Sequence, residues 1–240
     1  MKYIDLSLNT PQENLALDEA LLDSCEEGGS GEILRLWEPE SYFVVLGYSN
    51  KINSEVNLAY CRGEKIPVLR RVSGGGTVLQ GPGCLNYAVI LDMQKDKRLQ
   101  SITRANQLIM ERNKDALQPL LPEKELQIRG DTDLTWQFFK FSGNAQRRKK
   151  RFLLFHGTFL IDFDLKMIKK TLLPPTRQPE YRKNRPHMDF VRNLPVAKDK
   201  VREALKKGWE AFTLEPDLPT EKMSRLAAEK YSQEEFIRKF

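Results

Sequence analysis

Behind the short apolar segment IPVLRRV (66–72) the chain runs into SGGGTVLQGPG, which places five glycines between positions 74 and 83. The segment reads as a strand. A strand that ends in bare backbone can pass within contact distance of a ligand and present several N–H donors at once, because no Cβ intervenes. Arg70 and Arg71 are adjacent on that strand and point to opposite faces, so only one can serve a ligand held by the loop. No lysine follows the glycines in the GxxxxGK[ST] manner, and no GxGxxG opens a helix here. The loop predicts an anionic ligand held in some other way.

The elements around the loop set the fold class. PQENLALDEALLDSCEEG carries apolar residues at helical spacing and stops at Gly28 and Gly29. EILRLWEP and SYFVVLGYS, split by the turn formers Pro39 and Ser41, read as adjacent strands. A short helix is expected over 57–62, a buried strand over LNYAVILDM, and a helix over 103–117 that ends before Pro119. ELQIRG, TDLTWQFFKFSG and RFLLFHGTFLIDFDL read as three further strands. A helix then begins near 164, a proline-rich charged stretch covers 174–195, and two helices fill 198–212 and 220–240. This order predicts an α+β fold, a mixed sheet with helices packed on it. No internal repeat or low-complexity linker divides the chain.

Composition removes several classes of function. The three cysteines, Cys25, Cys61 and Cys84, are odd in number and form no CxxC pair, which argues against a disulfide framework or a structural zinc site. No apolar run approaches the roughly 20 residues of a membrane helix, and the N-terminus lacks a signal-peptide core, so a cytoplasmic protein with no membrane partner is expected. The formal charge of +6 admits an anionic partner. The densest basic run, RRKKR at 147–151, has no interleaved stacking aromatics, so nucleic acid is not expected.

Two more segments carry candidate chemistry. Lys140 sits among Phe138, Phe139 and Phe141, directly before the turn SGN. It reads either as an edge-strand lysine with its head in water or as a cation held in a partly apolar cleft against a phosphate or carboxylate. His156, one of two histidines, lies at a glycine inside the apolar FHGTFL and by itself reads as a hydrogen-bonded core residue.

Taken together and in order, these segments resemble the catalytic domain of the lipoate–protein ligase family, which is related to biotin–protein ligases and lipoyl-pathway octanoyltransferases. RRVSGGGTV looks like the family's RRxSGGGxV loop, DLTWQFFKFSGNAQ like its DL…KxSGxA segment, and HGTFLIDFDL like its HGTLLxxxDL strand. LRLWEP, VVLGYSNKINSEVN and HMDFVRNLP fall in the expected positions, and the resemblance covers most of residues 1–195. It departs in three places. Gln80 and Gly81 stand where many members have His-Asp, Thr132 stands before the DL where an asparagine is common, and 196–240 offers helices but no full accessory domain. Residues 1–240 are therefore expected to form a single catalytic domain.

The resemblance implies a largely antiparallel, biotin/lipoate-ligase-like sheet and a two-step ligation. Lipoate or octanoate attacks the α-phosphorus of Mg²⁺-bound ATP, and a lysine of an acceptor lipoyl domain then takes the acyl group from the adenylate. The acceptor would be the acyltransferase subunit of a 2-oxoacid dehydrogenase or a glycine-cleavage H-like protein, with a separate accessory protein as a further partner. Lys140 is the implied catalytic residue. Arg71, Ser73, Gly74, Gly75, Gly76, Thr77, Val78, Asn86, Asp133, Ser142, Gly143, Asn144, His156, Gly157 and Thr158 are the implied substrate and nucleotide contacts, with no metal ligand assigned. Arg147, Arg148 and Lys149 follow the lysine turn closely and are expected at its mouth, steering an acidic acceptor domain. The alternative is an octanoyltransferase working through a cysteine thioester. Related transferases place that cysteine on the strand before the lysine or beyond the HG segment, and here no cysteine follows Cys84. A non-catalytic acyl- or protein-binding module is the weaker alternative.

Overall fold

A computed structural model describes residues 1–29 and 31–240. The elements in chain order are β1 (Lys2–Asp5), α1 (Pro11–Glu26), β2 (Ile33–Trp37), β3 (Phe43–Leu46), α2 (Ile52–Glu55), α3 (Leu58–Gly63), β4 (Val68–Arg70), β5 (Val78–Gln80), β6 (Cys84–Asp92) and α4 (Ile102–Leu117). They continue with β7 (Leu126–Arg129), β8 (Asp133–Trp136), β9 (Phe139–Arg148), β10 (Phe152–Leu160), α5 (Leu165–Thr171), α6 (His187–Phe190), α7 (Lys198–Gly208), β11 (Thr213–Leu214), α8 (Thr220–Leu226) and α9 (Glu234–Ile237). The local signals explain the first helix. Thr10 and Glu13 form a reciprocal capping box, and Pro11 occupies the first turn, where its missing N–H costs nothing.

The strands form two sheets where the sequence suggested one. The larger runs β11-β1-β2-β6-β10-β9-β8-β7 and the smaller β4-β3-β5. In the larger sheet β1 runs parallel to β2 and β11, and every other pair is antiparallel. The expected adjacency of EILRLWEP and SYFVVLGYS is not met: β2 joins the large sheet and β3 the small one. TDLTWQFFKFSG is two strands, because Gln137 and Phe138 both take positive φ, +49° and +71°, and form a tight hairpin loop. Such loops normally announce themselves by Asn-Gly or Asp-Gly, which is absent here. The last predicted helix is likewise broken, by a π turn over Ala227–Tyr231.

Each face of the large sheet buries its own core. On one face lie α1, the small sheet, α8 and α9, around Leu17, Leu21, Ile33, Phe43 and Val45. On the other lie α4 and α7, around Tyr87, Ile109, Phe141, Phe155 and Leu205. Among the described residues no helix is long and apolar enough to cross a membrane.

Candidate functional site

The β-register aligns side chains in two rows across the face shared with the small sheet. One row is Trp37, Asn86, Thr158 and Gly143; the next is Arg35, Ala88, His156 and Ala145. The glycine loop hangs over them, with Gly75 within reach of Ala145. Lys140 reaches over the end of the first row: a Cβ on Gly143 would lie 2.8 Å from Lys140 Nζ. Only glycine leaves room for the lysine to fold across the strand. The sequence-predicted residues Ser73–Gly76, Asn86, Lys140, Gly143, His156 and Thr158 are thus brought to one trough.

Lys140 is not a free edge lysine. Its Nζ lies 2.7 Å from Asp133 Oδ1, with the two side chains 26% and 13% exposed. Tyr181 donates to the other carboxylate oxygen at 2.6 Å. Burial and the adjacent Asp133 charge push the Tyr181 phenol well above its usual range, so it stays a donor. Tyr181 comes from the proline-rich stretch, which straps over the site. Val191 bridges Lys140, Arg192 N donates to Lys140 O at 3.0 Å, and the Arg192 guanidinium lies 3.7 Å from the Phe139 ring centroid.

Arg71 is buried and has no carboxylate partner among the described residues, and burial lowers its pKa to about 10. It was expected to face the ligand's charge, but its donors go instead to the loop itself: Ser73 Oγ at 3.0 Å, Gly74 O at 2.5 Å and Gly76 O at 2.9 Å. This turns the loop's carbonyls inward. Gly74, Gly75 and Gly76 are exposed, and none of their N–H groups donates to another described residue. Such free backbone donors are suited to an anion. Thr77 is partly exposed and its buried Oγ1 is unpartnered. Val78 starts β5 and packs against the core.

Behind the loop stands a buried polar chain. Ser73 Oγ lies 2.6 Å from His156 Nε2, and His156 Nδ1 lies 3.2 Å from Asp18 Oδ2. Asp18 Oδ1 accepts from Arg35 at 2.6 Å. Burial pushes the Asp18 carboxyl up, but Arg35 and His156 together outweigh it and hold the group below its ordinary range. Sequence reasoning missed Asp18 and Arg35. The signal was available: an acid in the apolar stripe of LALDEALL and an arginine inside ILRLW both require buried partners. Gln80, the departure at the histidine position, donates to Thr158 Oγ1 at 2.6 Å, and Thr158 donates to Asn86. Gln80 Oε1 and Asn86 Nδ2 are buried without a hydrogen-bond partner among the described residues.

Asn144 serves the opposite face. Its Oδ1 accepts from Tyr87 at 2.6 Å, and Tyr87 in turn accepts from Asn113, whose Oδ1 accepts from Trp209. Asn144 Nδ2 donates to Thr132 O at 2.6 Å and, more weakly, to Ser142 Oγ at 3.2 Å. A Cβ on Gly157 would fall 1.7 Å from Asn144 Oδ1, so the GN of one motif and the HG of another are two halves of one fit. Asn144 and Ser142 therefore brace the lysine strand from behind, whereas Gly143 opens onto the trough. Thr132, the other departure, joins the brace by donating to Asn144 O at 2.8 Å.

The basic run does not adjoin Lys140. Arg147 and Arg148 end β9, which Lys140 begins, roughly 23 Å away at about 3.3 Å per residue. Arg148 donates to Leu99 O and Gln100 O, Lys149 pairs with Asp23 at 2.5 Å, and Arg151 pairs with Asp92 at 2.6 Å. A continuous strand, rather than a turn, separates the lysine from the run, although Arg147 is near enough to Tyr48, behind the glycine loop, to join Lys239 in lowering the Tyr48 phenol.

A trough floored by a polar row, with bare N–H donors on one side and a quarter-exposed lysine at its end, is a candidate site for an anionic substrate. The family profile for the lipoyl protein ligase A/B catalytic domain matches residues 10–207, and the chain belongs to that family. Lipoate-protein ligase A subunit 1 of Thermoplasma acidophilum is 30% identical over 250 residues, covering 96% of this chain and 94% of the relative. Octanoyltransferase LipM of Halalkalibacterium halodurans is 26% identical over 271 residues, covering 98% and 97%. Among solved structures, lipoate-protein ligase A bound with ATP superposes with a TM-score of 0.79 at 25% identity, covering 99% of each chain. A bi-partite lipoate protein ligase, described with its E2 lipoyl domain from T. acidophilum, shares the fold with a TM-score of 0.82 at 24% identity, covering 100% of this chain and 98% of that one.

Proposed function

We propose that this chain is the catalytic part of an ATP-dependent lipoate–protein ligase. The observation that carries the reading is where the thiols lie. Cys25, Cys61 and Cys84 are all buried. Burial pushes the Cys25 thiol up to about 12 and raises Cys61 and Cys84 as well, so none is poised as a nucleophile. Cys84, at the start of β6, is separated from the lysine strand by β10. The buried thiols count against a thioester route, and the free loop N–H groups with Lys140 support an adenylate route.

In the first step a lipoate or octanoate carboxylate oxygen attacks the α-phosphorus of ATP and the bond to pyrophosphate breaks. The Gly74–Gly76 N–H groups and Lys140 supply positive potential where phosphoryl charge builds up. In the second step the ε-amine of a lysine on a lipoyl-domain acceptor attacks the acyl carbon, AMP leaves, and the amine's proton is lost to solvent. Lys140 and the loop hold the adenylate while this happens. Mg²⁺ would enter with the phosphates and neutralise them. Asp133 is the nearby acid able to hold it, and among the described residues no group of three or more His, Cys, Asp or Glu forms a dedicated metal site. The likeness to a ligase subunit supports a second polypeptide that completes the enzyme, with residues 1–240 as its catalytic unit.

The test is pyrophosphate release from ATP and lipoate, run beside octanoyl transfer from carrier protein without ATP. Release that requires lipoate supports the ligase. Transfer without ATP replaces it with the octanoyltransferase, the reading that the LipM relatives favour.

A further inference from the structure

Arg70, the partner of Arg71 on the opposite face of β4, has no role in the trough, yet it is fully buried. Among the described residues no carboxylate pairs with it, and its donors end on main-chain carbonyls. Nη1 donates to Gly47 O at 2.9 Å, Tyr48 O at 2.8 Å and Asn50 O at 2.9 Å. Nε donates to Phe236 O and Ile237 O at 3.0 Å, and Nη2 to Ile237 O at 2.7 Å. A buried cation without an acid is held only by such a shell, so its loss would be felt on both sides at once.

The two sets of carbonyls belong to distant parts of the chain. Gly47, Tyr48 and Asn50 form the turn after β3, which is the back wall of the glycine loop. Tyr48 N donates to Ser73 O at 2.8 Å, and a Cβ on Gly47 would fall 2.1 Å from Gly75 O, so the turn and the loop touch backbone to backbone. Phe236 and Ile237 belong to α9, which lies beyond residues 10–207 matched by the family profile. This last segment is itself anchored. Ile237 is buried, Tyr231 donates to Glu19 on α1 at 2.9 Å, and Lys239 Nζ lies 2.8 Å from Tyr48 Oη.

We infer that residues 234–240 clamp the glycine loop: through Arg70 they fix the 47–50 turn, and the turn sets the spacing of the Gly74–Gly76 donors. Arg70 is then a positioning residue, and the segment behind it belongs to the ligand-binding apparatus. A run of exposed glycines is costly to order, and backbone donors stabilise developing charge only when fixed in advance, so a distant brace has a clear task. That task rests on the glycine loop being the adenylate cradle; the linkage itself does not.

Two measurements test it. In the unmodified protein, native-state hydrogen exchange at the Tyr48, Asn50, Phe236 and Ile237 amides, each hydrogen-bonded, should report one shared opening. Opening of the 236–237 amides a hundredfold more often than those of 48 and 50 overturns the clamp. Deletion of 234–240 should raise KM for ATP and for the acid at least tenfold while kcat changes much less. A folded deletion with KM within twofold of the parent overturns the inference. If the deletion does not fold, the exchange result decides alone. If the parent protein releases no pyrophosphate, the ligase reading fails while the exchange result still stands or falls by itself.

Discussion

The two ends of β9 carry cations in contrasting sequence surroundings, a lone lysine among phenylalanines and a dense basic run, and use them differently. At the start, Lys140 shares Asp133 with Tyr181 and keeps its head group a quarter exposed at the end of a trough. At the far end, Arg148 is consumed by Leu99 O, Gln100 O and the Met93 thioether, and Lys149 and Arg151 are paired with Asp23 and Asp92. Charge density marks the second end and chemistry the first. The difference lies in the partners: a cation whose bonds are incomplete and exchangeable can act on a ligand, whereas one whose donors are spent on main-chain carbonyls holds the fold.

The largest expected effect tests the first end. Lys140→Ala should lower acyl transfer to a lipoyl-domain acceptor by about 10²–10³-fold, the size associated with losing one charge-stabilising donor. Thermal stability should change little, because Tyr181 still satisfies Asp133. Arg at the site should not restore activity, since its planar fork cannot fold over Gly143 as the compact ammonium does. Near-parental turnover in Lys140→Ala would remove the distinction between the two ends.

A smaller effect is expected midway along the strand pair. Gly157→Ala puts a methyl into the Asn144 carboxamide, so β9 must shift where it braces Lys140. The expected result is a loss of roughly 1–3 kcal/mol in urea unfolding, with activity falling alongside. The double variant Gly157→Ala, Asn144→Gly should recover part of the stability. An unchanged midpoint in the single variant would mean that the strands yield freely and that the brace has no hold on the lysine.

At the far end the sign reverses. Arg148→Glu removes the bonds to Leu99 O and Gln100 O and should cost about 1–2 kcal/mol of stability. KM for the acceptor domain, measured on folded protein, should stay within twofold, and salt should not change that. A large salt-dependent rise in KM would show that the run steers the acceptor after all, despite lying a strand's length from Lys140.

Much of this contrast was legible in the sequence. The glycine run, the DL…KxSGxA segment and the HG strand named the family and most of the trough, because bare backbone, an isolated lysine and a glycine-flanked histidine are local features. What escaped depended on pairing at long range. Asp18 meets Arg35 only because α1 packs on β2, and Tyr181 meets Asp133 only because the strap folds back over β8. The separation of Arg147–Lys149 from Lys140 escaped for the same reason, since without the Gln137–Phe138 hairpin the length of β9 after Lys140 could not be read.

The smallest expected effect concerns pH and separates the two ends once more. His187, at the start of α6 in the strap, is pushed down to about 4, first by burial and then by the nearby Arg182 and Lys140 charges. Between that value and the unperturbed 6.5 the unfolded chain binds a proton that the folded chain does not, so stability rises with pH across this window. As pH falls from about 6.5 toward 4, protonation of the unfolded state draws the equilibrium away from the strapped form, and the loss levels off below 4. The group is partly exposed, so solvent screening keeps the effect on the order of 1 kcal/mol. Urea midpoints at pH 7 and pH 5 should differ in the parent and differ less in His187→Gln. The pH sensitivity removed by the substitution belongs to the strap at the lysine end. An equal pH slope in His187→Gln would assign the sensitivity to another group and leave the strap without a titrating part.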